Sequence, residues 1–288
     1  MKARTRFRAP ADLTLRDEDA GATPLRDEDA GATPLRENGG KHPTSKDQIK
    51  AHERKLTGAL TAKIALHQQM LFSQRKQKVL LVLQGMDTSG KDGTVRALFS
   101  SINPMGLNAT QFKAPSLDEA AHDFLWRIHP HVPGAGEIAI FNRSHYEDVL
   151  VTRVQKLIDE KECKRRYAHI ADFERMLAET GTVIVKVFLH ISKDEQRERL
   201  QARLDDPEKQ WKFDENDIVQ RKRWDDYRDA YERAIGATDA DHAPWYIIPA
   251  NSKTHRNLLI ANLLLEVMED LNLAFPKPDP RLSKLKIE

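Results

Sequence analysis

The residues best suited to chemistry form a glycine-rich loop that directly follows an apolar run. From Gly85 to Lys91 the chain reads Gly-Met-Asp-Thr-Ser-Gly-Lys, which matches the G-x-x-x-x-G-K spacing of a phosphate-binding loop. The glycines let backbone N–H groups curl inward, and Lys91 bridges phosphoryl oxygens where a helix begins. The expected phosphate contacts of this segment are Gly85, Thr88, Ser89, Gly90, Lys91, Gly93 and Thr94.

Two carboxylates in and beside this loop indicate a metal ion. Asp87 lies inside the loop, and Asp92 takes the position after Lys91 at which such loops usually carry Ser or Thr. Acids beside a polyanion repel it unless a divalent cation with oxygen ligands lies between them. Asp87 is therefore the predicted ligand of Mg²⁺, with Mn²⁺ as the alternative metal. Asp92 is either a second ligand or a helix-start residue favoured by the helix dipole.

A second polar segment follows the apolar run at residues 138–141. Asn142 occupies the strand end at which phosphate-loop proteins usually place a metal-binding Asp, so Glu147 or Asp148 is expected to supply charge nearby. We expect Asn142 itself to contact phosphate or nucleotide. Arg143 is suited to neutralising charge on a transferring phosphoryl group, because the carboxyl edge of a parallel sheet is where ligands bind. The alternative for Arg143 is an ordinary ion pair with Asp148.

Basic residues farther along the chain could contact additional phosphates. Arg199 and Arg203 are four residues apart on a helix opened by Ser192, so they share a face, and Lys209 and Lys212 follow. Residues 193–233 hold more acids than bases, 13 against 11, so a solvated helix pair is the alternative. Two further arginines are candidate phosphate contacts: Arg127 and Arg153.

These residues need a sheet to bring them together, and the apolar pattern supplies one. Helical segments alternate with five apolar runs: Val79–Leu83, Ala109–Phe112, Ile138–Phe141, Val183–Ile191 and Trp245–Ile248. This alternation predicts an α/β fold with a doubly wound parallel sheet of about five strands flanked by helices. An amphipathic helix over Ser45–Phe72 is expected to precede it and to pack on the core or on another subunit.

The N-terminal region contains a tandem duplication. Residues 15–24 read LRDEDAGATP, and residues 25–34 repeat the same ten letters. Two copies cannot stack a continuous core, and Gly, Pro and acidic residues dominate them. We therefore expect residues 1–44 to form a disordered or loosely docked arm, and residues 45–288 to form one phosphotransferase domain.

Composition narrows the class of protein. The chain has 288 residues, of which 46 are Lys or Arg and 44 are Asp or Glu, so its net charge is +2. A charge this small creates no overall electrostatic field that would attract nucleic acid or a membrane surface. One cysteine, Cys163, excludes an internal disulfide and suits a reducing compartment. No run of about 18 apolar residues occurs. We expect a cytoplasmic protein that binds neither nucleic acid nor membranes.

Several motifs, taken in order, resemble the polyphosphate kinase 2 family. They occupy Gly85–Gly93, Asn103–Gly106, Phe141–Leu150 and Asp206–Lys212, and the resemblance covers roughly residues 45–273. The motif Phe-Asn-Arg-Ser-His-Tyr-Glu-Asp is similar to the corresponding motif of class III of this family, whose members phosphorylate both nucleoside mono- and diphosphates. The resemblance implies a P-loop kinase fold with a helical lid over about residues 193–235.

The resemblance also implies a reaction. The terminal phosphoryl group of inorganic polyphosphate would pass to AMP or ADP with Mg²⁺, and Arg203 and Lys212 fall on phosphate-contacting lid positions. The residues expected to carry catalysis are Asp87, Lys91, Arg143 and Arg203. An ATP-dependent nucleoside monophosphate kinase is the first alternative, disfavoured by Asp92, and a nucleotide-binding switch without turnover is the second. We expect a homo-oligomer, either a dimer or a tetramer.

Overall fold

The structure is a computed structural model that describes residues 2–21, 45–282 and 285–287. Its strands are Lys78–Gln84 (β1), Leu107–Gln111 (β2), Ile138–Asn142 (β3), Thr182–His190 (β4) and Trp245–Pro249 (β5). They form one sheet in the order β2-β3-β1-β4-β5, and every adjacent pair is parallel. All five strands overlap the predicted apolar runs, so the predicted fold class is confirmed.

Ten α-helices connect and cover the strands of the described residues. They are Ala3–Arg6 (α1), Lys46–Gln74 (α2), Lys91–Phe99 (α3), Leu117–Ala121 (α4), Glu147–Val154 (α5), Glu160–Glu179 (α6), Lys193–Leu204 (α7), Glu215–Arg221 (α8), Trp224–Thr238 (α9) and Lys253–Asp270 (α10). The central strand β1 is buried from Val79 onward because helices cover both faces of the sheet. Within the described ranges, no helix has the length and apolar character that crossing a bilayer requires.

Helix capping explains where several helices begin. Ser45 and Gln48 form a capping box at the start of α2, and Ser116 and Glu119 form another at α4. At α7 the side chain of Ser192 accepts the N–H of Glu195, and the N–H of Ser192 donates to Asn251 Oδ1 (3.0 Å). Helix α2 packs along α10 and so covers the core of its own chain.

The connections between strands create a crevice at one edge of the sheet. The chain leaves β1 towards β2 on one side, and it leaves β3 towards β4 on the other. Strands β1 and β3 are neighbours, with Leu83 paired to Asn142 at their carboxyl ends. Ligands of open α/β sheets bind at such a reversal of strand order. The segments that follow β1 and β3 therefore line the place where a site is expected.

The structure places residues 2–21, for which the sequence predicts a disordered or loosely docked arm, against the edge of the sheet. The N–H of Ala9 donates to the carbonyl of Trp245 (2.9 Å), and the N–H of Ile247 donates to the carbonyl of Phe7 (2.8 Å). The arm thus pairs with the outer edge of β5, and Phe7 is buried there. A sheet edge offers unpaired backbone groups, which is why an extended arm can dock on it despite its polar composition.

The first part of the duplicated segment is docked as well. Leu15 is buried and donates its N–H to Glu232 on α9 (2.7 Å), and the carbonyl of Arg16 bonds His190 Nε2 (2.6 Å). Asp17 Oδ2 accepts the N–H of Lys193 at the start of α7 (3.1 Å). Ala20 is fully buried. The remainder of the duplication lies outside the described residues, and the boundary at residue 44 stays a prediction.

Candidate active site

The glycine-rich loop joins β1 to α3 in a conformation that needs its glycines. Gly85 has a φ of 150° and Gly90 a φ of 99°, values at which side chains are strained. A Cβ on Gly85 would lie 2.7 Å from the carbonyl oxygen of Leu189, which is backbone and cannot move aside. Helix α3 begins at Lys91, immediately after the loop. The loop therefore ends on a helix N-terminus, as phosphate binding requires.

Lys91 folds back over this loop and is almost fully buried. Its Nζ donates to the carbonyl of Gly85 (2.7 Å) and to that of Met86 (3.3 Å). Burial, followed by repulsion from Arg143, lowers the pKa of Lys91 to about 8. An anion in the loop would favour the charged form of this lysine and so bind to it.

Three buried polar atoms around the loop have no hydrogen-bond partner. They are Thr88 Oγ1, Ser89 Oγ and Asn142 Oδ1, and none is satisfied by another atom within the described part of the chain. Burying a polar atom without a partner is costly, and such atoms in a native fold need an explanation. A bound phosphate or a hydrated metal ion supplies the missing partners. These unpartnered atoms agree with the predicted phosphate loop.

Arg143, after β3, and Asp87, in the loop, form the closest contact across the crevice. Arg143 Nη2 lies 2.5 Å from Asp87 Oδ1, and its Nη1 lies 3.4 Å from Glu147 Oε2. Burial lowers the pKa of Arg143, but Glu147 and Asp87 outweigh it and the net shift is upward. The alternative of an ion pair with Asp148 is wrong, because Asp148 pairs with Arg127 instead (3.0 Å). The predicted carboxylate and arginine therefore do meet.

Asp92 and Asn142 also meet, across the gap between α3 and β3. Asn142 Nδ2 donates to Asp92 Oδ1 (2.6 Å), which leaves Asn142 Oδ1 as the unpartnered oxygen. Both residues stand beside the loop at the carboxyl end of the central strands. Their oxygens add to that of Asp87 as potential ligands of a hard cation.

The donor set fits Mg²⁺ bound together with substrate. No group of three or more His, Cys, Asp or Glu gathers anywhere in the described residues. Mg²⁺ is commonly held by one or two carboxylates plus substrate phosphates and water, so Asp87 and Asp92 are sufficient. Asp148 does not belong to this set, because it is buried against Arg127 and faces away from the loop contacts just described. This corrects the prediction that Asp148 is a candidate ligand, whereas Glu147 remains beside Arg143.

Arg127 and Arg153, two of the predicted phosphate contacts, form their bonds with residues outside the phosphate loop. Arg127 is buried and donates to the carbonyl of Lys113 (2.7 Å) and to Asp148 (3.0 Å). Arg153 donates to Glu160 on α6 (2.9 Å). Arg127 is therefore part of a buried ion pair and Arg153 of a partly exposed one, and neither contact supports the prediction that these arginines bind phosphate. Sequence spacing placed them near the sheet edge without giving the direction of their side chains.

Arg199 lies behind the loop and contacts its backbone. Its Nη1 donates to the carbonyls of Thr88 (2.8 Å) and Ser89 (3.1 Å), and its Nε donates to Glu195 (2.6 Å). Its Nη2 donates to the carbonyl of Ala250 (2.6 Å). The guanidinium is thus buried under the loop instead of reaching phosphate from the lid, which corrects the predicted role as a direct phosphate contact.

The other lid residues point away from the loop contacts. Arg203 Nη1 lies 3.5 Å from Asp217 on α8, and the carbonyl of Lys212 accepts from the same nitrogen (3.2 Å). Lys209 pairs with Asp206 at the surface, and Lys212 Nζ lies over the ring of Trp211, 4.9 Å from its centroid. The structure does not bring these three cations to Asp87 or Lys91, so their phosphate contacts stay predictions.

A cleft between the loop and the lid helices contains residues that sequence reasoning missed. Besides Gly85, Met86, Asp87, Arg143 and Glu147, its lining includes Gln196, Gln220, Arg221, Trp224, Tyr227 and Tyr231. Gln196 Nε2 donates to the carbonyl of Asp87 (3.2 Å), and its Oε1 accepts from Arg221 (3.0 Å). The available signal was spacing, because Gln196 precedes Arg199 by three residues and shares its helix face.

Comparison with known proteins assigns the chain to a protein family. The family model described as "Polyphosphate kinase 2 (PPK2)" matches residues 44–276. The chain belongs to the polyphosphate kinase 2 family. This confirms the family predicted from the motifs, and the match includes the loop and the lid segment but excludes most of the N-terminal arm.

Similar members of the polyphosphate kinase 2 family include two curated relatives and one solved structure. An AMP/ADP-polyphosphate phosphotransferase of Meiothermus ruber is 52% identical over 77% of this chain and 83% of the relative. An ADP-polyphosphate phosphotransferase of Rhodopseudomonas palustris is 41% identical over 85% of this chain and 90% of the relative. The crystal structure of polyphosphate kinase 2 from Arthrobacter aurescens TC1 is 40% identical, covers 99% of this chain and 95% of its own, and has a TM-score of 0.85.

Proposed function

We propose that this protein transfers the terminal phosphoryl group of inorganic polyphosphate to AMP and to ADP. The observation that carries the proposal is the phosphate loop with its unpartnered buried oxygens, facing Arg143 across Asp87. The family supplies the donor, since the relatives of Meiothermus ruber and Rhodopseudomonas palustris are both named for transfer involving polyphosphate. The former, at 52% identity, is named for both AMP and ADP, which supports both acceptors here.

Catalysis by this site consists of positioning and charge neutralisation. Lys91 and the N–H groups at the start of α3 would hold oxygens of the donor phosphates, and Arg143 would contact the transferring group. Arg143 is already oriented, because its φ of 63° and the bond from its N–H to the carbonyl of Leu83 (3.1 Å) fix its backbone. No general base is required, since the attacking group is a phosphate oxygen of the nucleotide.

We propose Mg²⁺ as the cofactor, with Mn²⁺ as the alternative, held by Asp87 together with Asp92 and Asn142 Oδ1. The bound ion supplies charge neutralisation between the loop carboxylates and the phosphates. Glu147 would remain paired with Arg143 (3.4 Å) and set its orientation. This assignment agrees with the short Asn142–Asp92 contact, which leaves one amide oxygen directed at the site.

The lid cations are proposed as contacts for the rest of the polyphosphate chain. Lys209 pairs with Asp206 at the surface, and such exposed pairs contribute little free energy, so exchange of Asp206 for a phosphate group is inexpensive. Arg203 pairs with the less exposed Asp217, and a phosphate would have to replace that partner. Lys212 stacks on the exposed ring of Trp211 and is free to move with it. We also propose a cytoplasmic homo-oligomer without a nucleic-acid partner.

Product analysis tests the proposal directly. The full-length protein is incubated with AMP, polyphosphate and Mg²⁺ in the absence of ATP, and the nucleotides are separated by chromatography. ADP followed by ATP is the expected result, and Lys91→Ala, which removes the loop cation, serves as the inactive control. ADP alone would restrict the acceptor to the monophosphate. Product formation only when ATP is supplied as the donor would favour the nucleoside monophosphate kinase alternative.

A further inference from the structure

A second arginine lies beneath the phosphate loop, and the motifs do not include it. Arg256 is in the first turn of α10 and is 2% exposed. Its Nη1 donates to the carbonyl of Ser89 (3.0 Å), the same oxygen that accepts from Arg199 Nη1 (3.1 Å). Two guanidinium groups therefore converge on one carbonyl at the back of the loop.

The loop glycines make this approach possible. A Cβ on Gly90 would lie 1.9 Å from Arg256 Nη1, and one on Gly93 would lie 3.5 Å from Nη2. The guanidinium thus packs directly against the loop backbone with no side chain between them. The bond of Arg256 to the loop goes to the backbone carbonyl of Ser89, so its influence on a bound phosphate would pass through the loop backbone and through its charge.

Within the described part of the chain, the charge of Arg256 has no acidic partner. Among the described residues, no carboxylate oxygen lies within 4.0 Å of its guanidinium. Its other bonds go to the amide oxygen of Asn257 (3.1 and 2.8 Å). Burial, followed by repulsion from Arg199, lowers the pKa of Arg256 to about 9. Its position in the first turn of α10 adds the unfavourable positive end of a helix dipole.

Among the described residues, three other buried cations have carboxylate partners, whereas Lys91 and Arg256, which both bond to the phosphate loop, have none. Lys186 bonds Glu174 (2.5 Å), Arg127 bonds Asp148 (3.0 Å), and Arg199 itself bonds Glu195 (2.6 Å). An unpaired buried charge destabilises a fold. A phosphate bound in the loop would supply the negative charge that Arg256 lacks among the described residues.

We infer that Arg256 is a positioning residue for polyphosphate, with its charge balanced by a phosphate bound on the opposite side of the loop. The carbonyl oxygen and the following N–H of a trans peptide point in opposite directions. By holding the carbonyl of Ser89 behind the loop, Arg256 directs the N–H of Gly90 into it. The inference rests on the proposed function, because it assigns the loop to the polyphosphate donor.

Binding of tripolyphosphate with Mg²⁺, measured by titration calorimetry on the full-length protein, tests this role. In Arg256→Met and Arg256→Gln the affinity is expected to fall about tenfold, which is the scale of a lost charge at a helix terminus or loop. Arg256→Lys keeps the charge and is expected to restore most of the affinity. The KM for polyphosphate should rise in the neutral variants, while the KM for AMP stays unchanged.

Thermal unfolding without ligand separates this role from a structural one. Arg256→Met should melt at or above the wild-type temperature, because it removes an unpaired charge. Lys186→Met, the matched buried cation, should melt lower because it leaves Glu174 unpaired. If Arg256→Met does not fold, Arg256→Gln, which keeps a hydrogen-bond donor, carries the binding test.

Wild-type affinity for tripolyphosphate in the neutral variants would overturn the inference. If the wild type still forms ADP from AMP and polyphosphate in that case, the proposed function stands and only the role of Arg256 is lost. A wild type that neither binds tripolyphosphate nor transfers a phosphoryl group would overturn both.

Discussion

Arg143 shows how one residue connects backbone conformation to chemistry. It adopts a left-handed conformation (φ 63°), which is uncommon for a side chain of this size. The bond from its N–H to Leu83 and its contacts with Asp87 and Glu147 hold it there. Strained residues persist where the surroundings over-determine them, often at functional sites. The arginine is therefore oriented towards the loop before any substrate arrives.

Asp87→Asn should raise the Mg²⁺ concentration needed for half-maximal activity and slow turnover. The substitution removes a charged oxygen ligand while preserving the size of the side chain. Mg²⁺ titrations of activity at fixed AMP and polyphosphate measure the midpoint. Asp148→Asn is the matched control, because its carboxylate pairs with Arg127 and should leave the midpoint unchanged. An unchanged midpoint in Asp87→Asn would remove this residue from the metal site.

The affinity for tripolyphosphate should decrease as the pH rises above about 8. The pKa of Lys91 in the free protein is lowered to about 8, so the lysine loses its proton near that pH, whereas the phosphate-bound form retains it. Binding at pH 8.5, about half a unit above that pKa, should take up a proton, which calorimetry in buffers of different ionisation enthalpy detects. Lys91→Arg, which stays charged, should show no uptake. Equal heats in all buffers for the wild type would contradict this.

The lowered pKa of Lys91 also makes the free energy of unfolding depend on pH. Between pH 8 and the ordinary lysine value of 10.5, the unfolded chain holds a proton that the native Lys91 has lost. The free energy of unfolding therefore gains a contribution that rises with pH in this window. Below pH 8 both states are protonated, and the full cost of the buried charge is present.

At the scale of elements, the sequence predicted the strands and the phosphate loop, whose residues follow regular spacings. It did not predict the directions in which individual side chains point. Continuous apolar runs such as that of β1 identify buried strands, and the glycine and lysine spacing identifies the loop. Helical spacing placed Arg199 and Arg203 on one face, but it could not show that Arg199 turns inward beneath the loop. Arg256 carried no signal at all, because its role depends on the packing of α10 against a loop 167 residues earlier.

The sequence did not predict the contacts of the N-terminal arm, for a related reason. Its composition is polar and rich in Gly and Pro, and such segments generally lack enough apolar surface to fold. A few well-placed side chains were sufficient here, because Phe7 and Leu15 fill positions along β5 and α9 that the sheet edge leaves open. Composition averages over a segment, whereas docking depends on individual residues.

Deletion of residues 1–21 should lower the melting temperature by roughly 5–10 °C. Phe7 and Leu15 are buried, and losing two such side chains costs on the order of 3 kcal/mol after the entropy of ordering the arm is subtracted. Differential scanning calorimetry measures the change. Deletion of residues 25–34 is the control, because it removes one copy of the duplication and keeps residues 1–21. An unchanged melting temperature in the first variant would show that the docked arm contributes no stability.

Arg203→Ala should raise the KM for polyphosphate about tenfold and leave AMP affinity unchanged. Arg203 is proposed to exchange Asp217 for a phosphate, and a hydrogen bond to a charged group contributes about 1.5 kcal/mol or more. Steady-state kinetics with each substrate varied in turn separate the two constants. Arg197→Ala on the same helix, whose side chain is exposed and pairs with Asp194, is the control. Equal losses for both substrates would place Arg203 at the acceptor.

At the scale of the whole molecule, the loop is the point where separate parts of the chain are joined. Helix α7 reaches it through Gln196 and Arg199, and α10 reaches it through Arg256. The docked arm in turn contacts the first residue of α7 through Asp17. Helices α7 and α10 both donate hydrogen bonds to loop carbonyls. A ligand that orders the loop therefore acts on these two helices, which are distant from it in sequence.

Hydrogen exchange should reveal this connection when tripolyphosphate and Mg²⁺ are added. Amides of α3 are expected to gain protection directly, and those of α7 and the first turn of α10 to gain it through the bonds to the loop. Helix α4, which follows the edge strand β2, has no such bond and should not change. Mass spectrometry of peptides from each helix measures the exchange. Protection confined to the loop and α3 would mean that Arg199 and Arg256 support the loop without responding to a bound ligand. The Arg256→Gln variant separates the two arginines. If this variant loses the protection of α10 and keeps that of α7, Arg256 connects the loop to α10 and Arg199 connects it to α7.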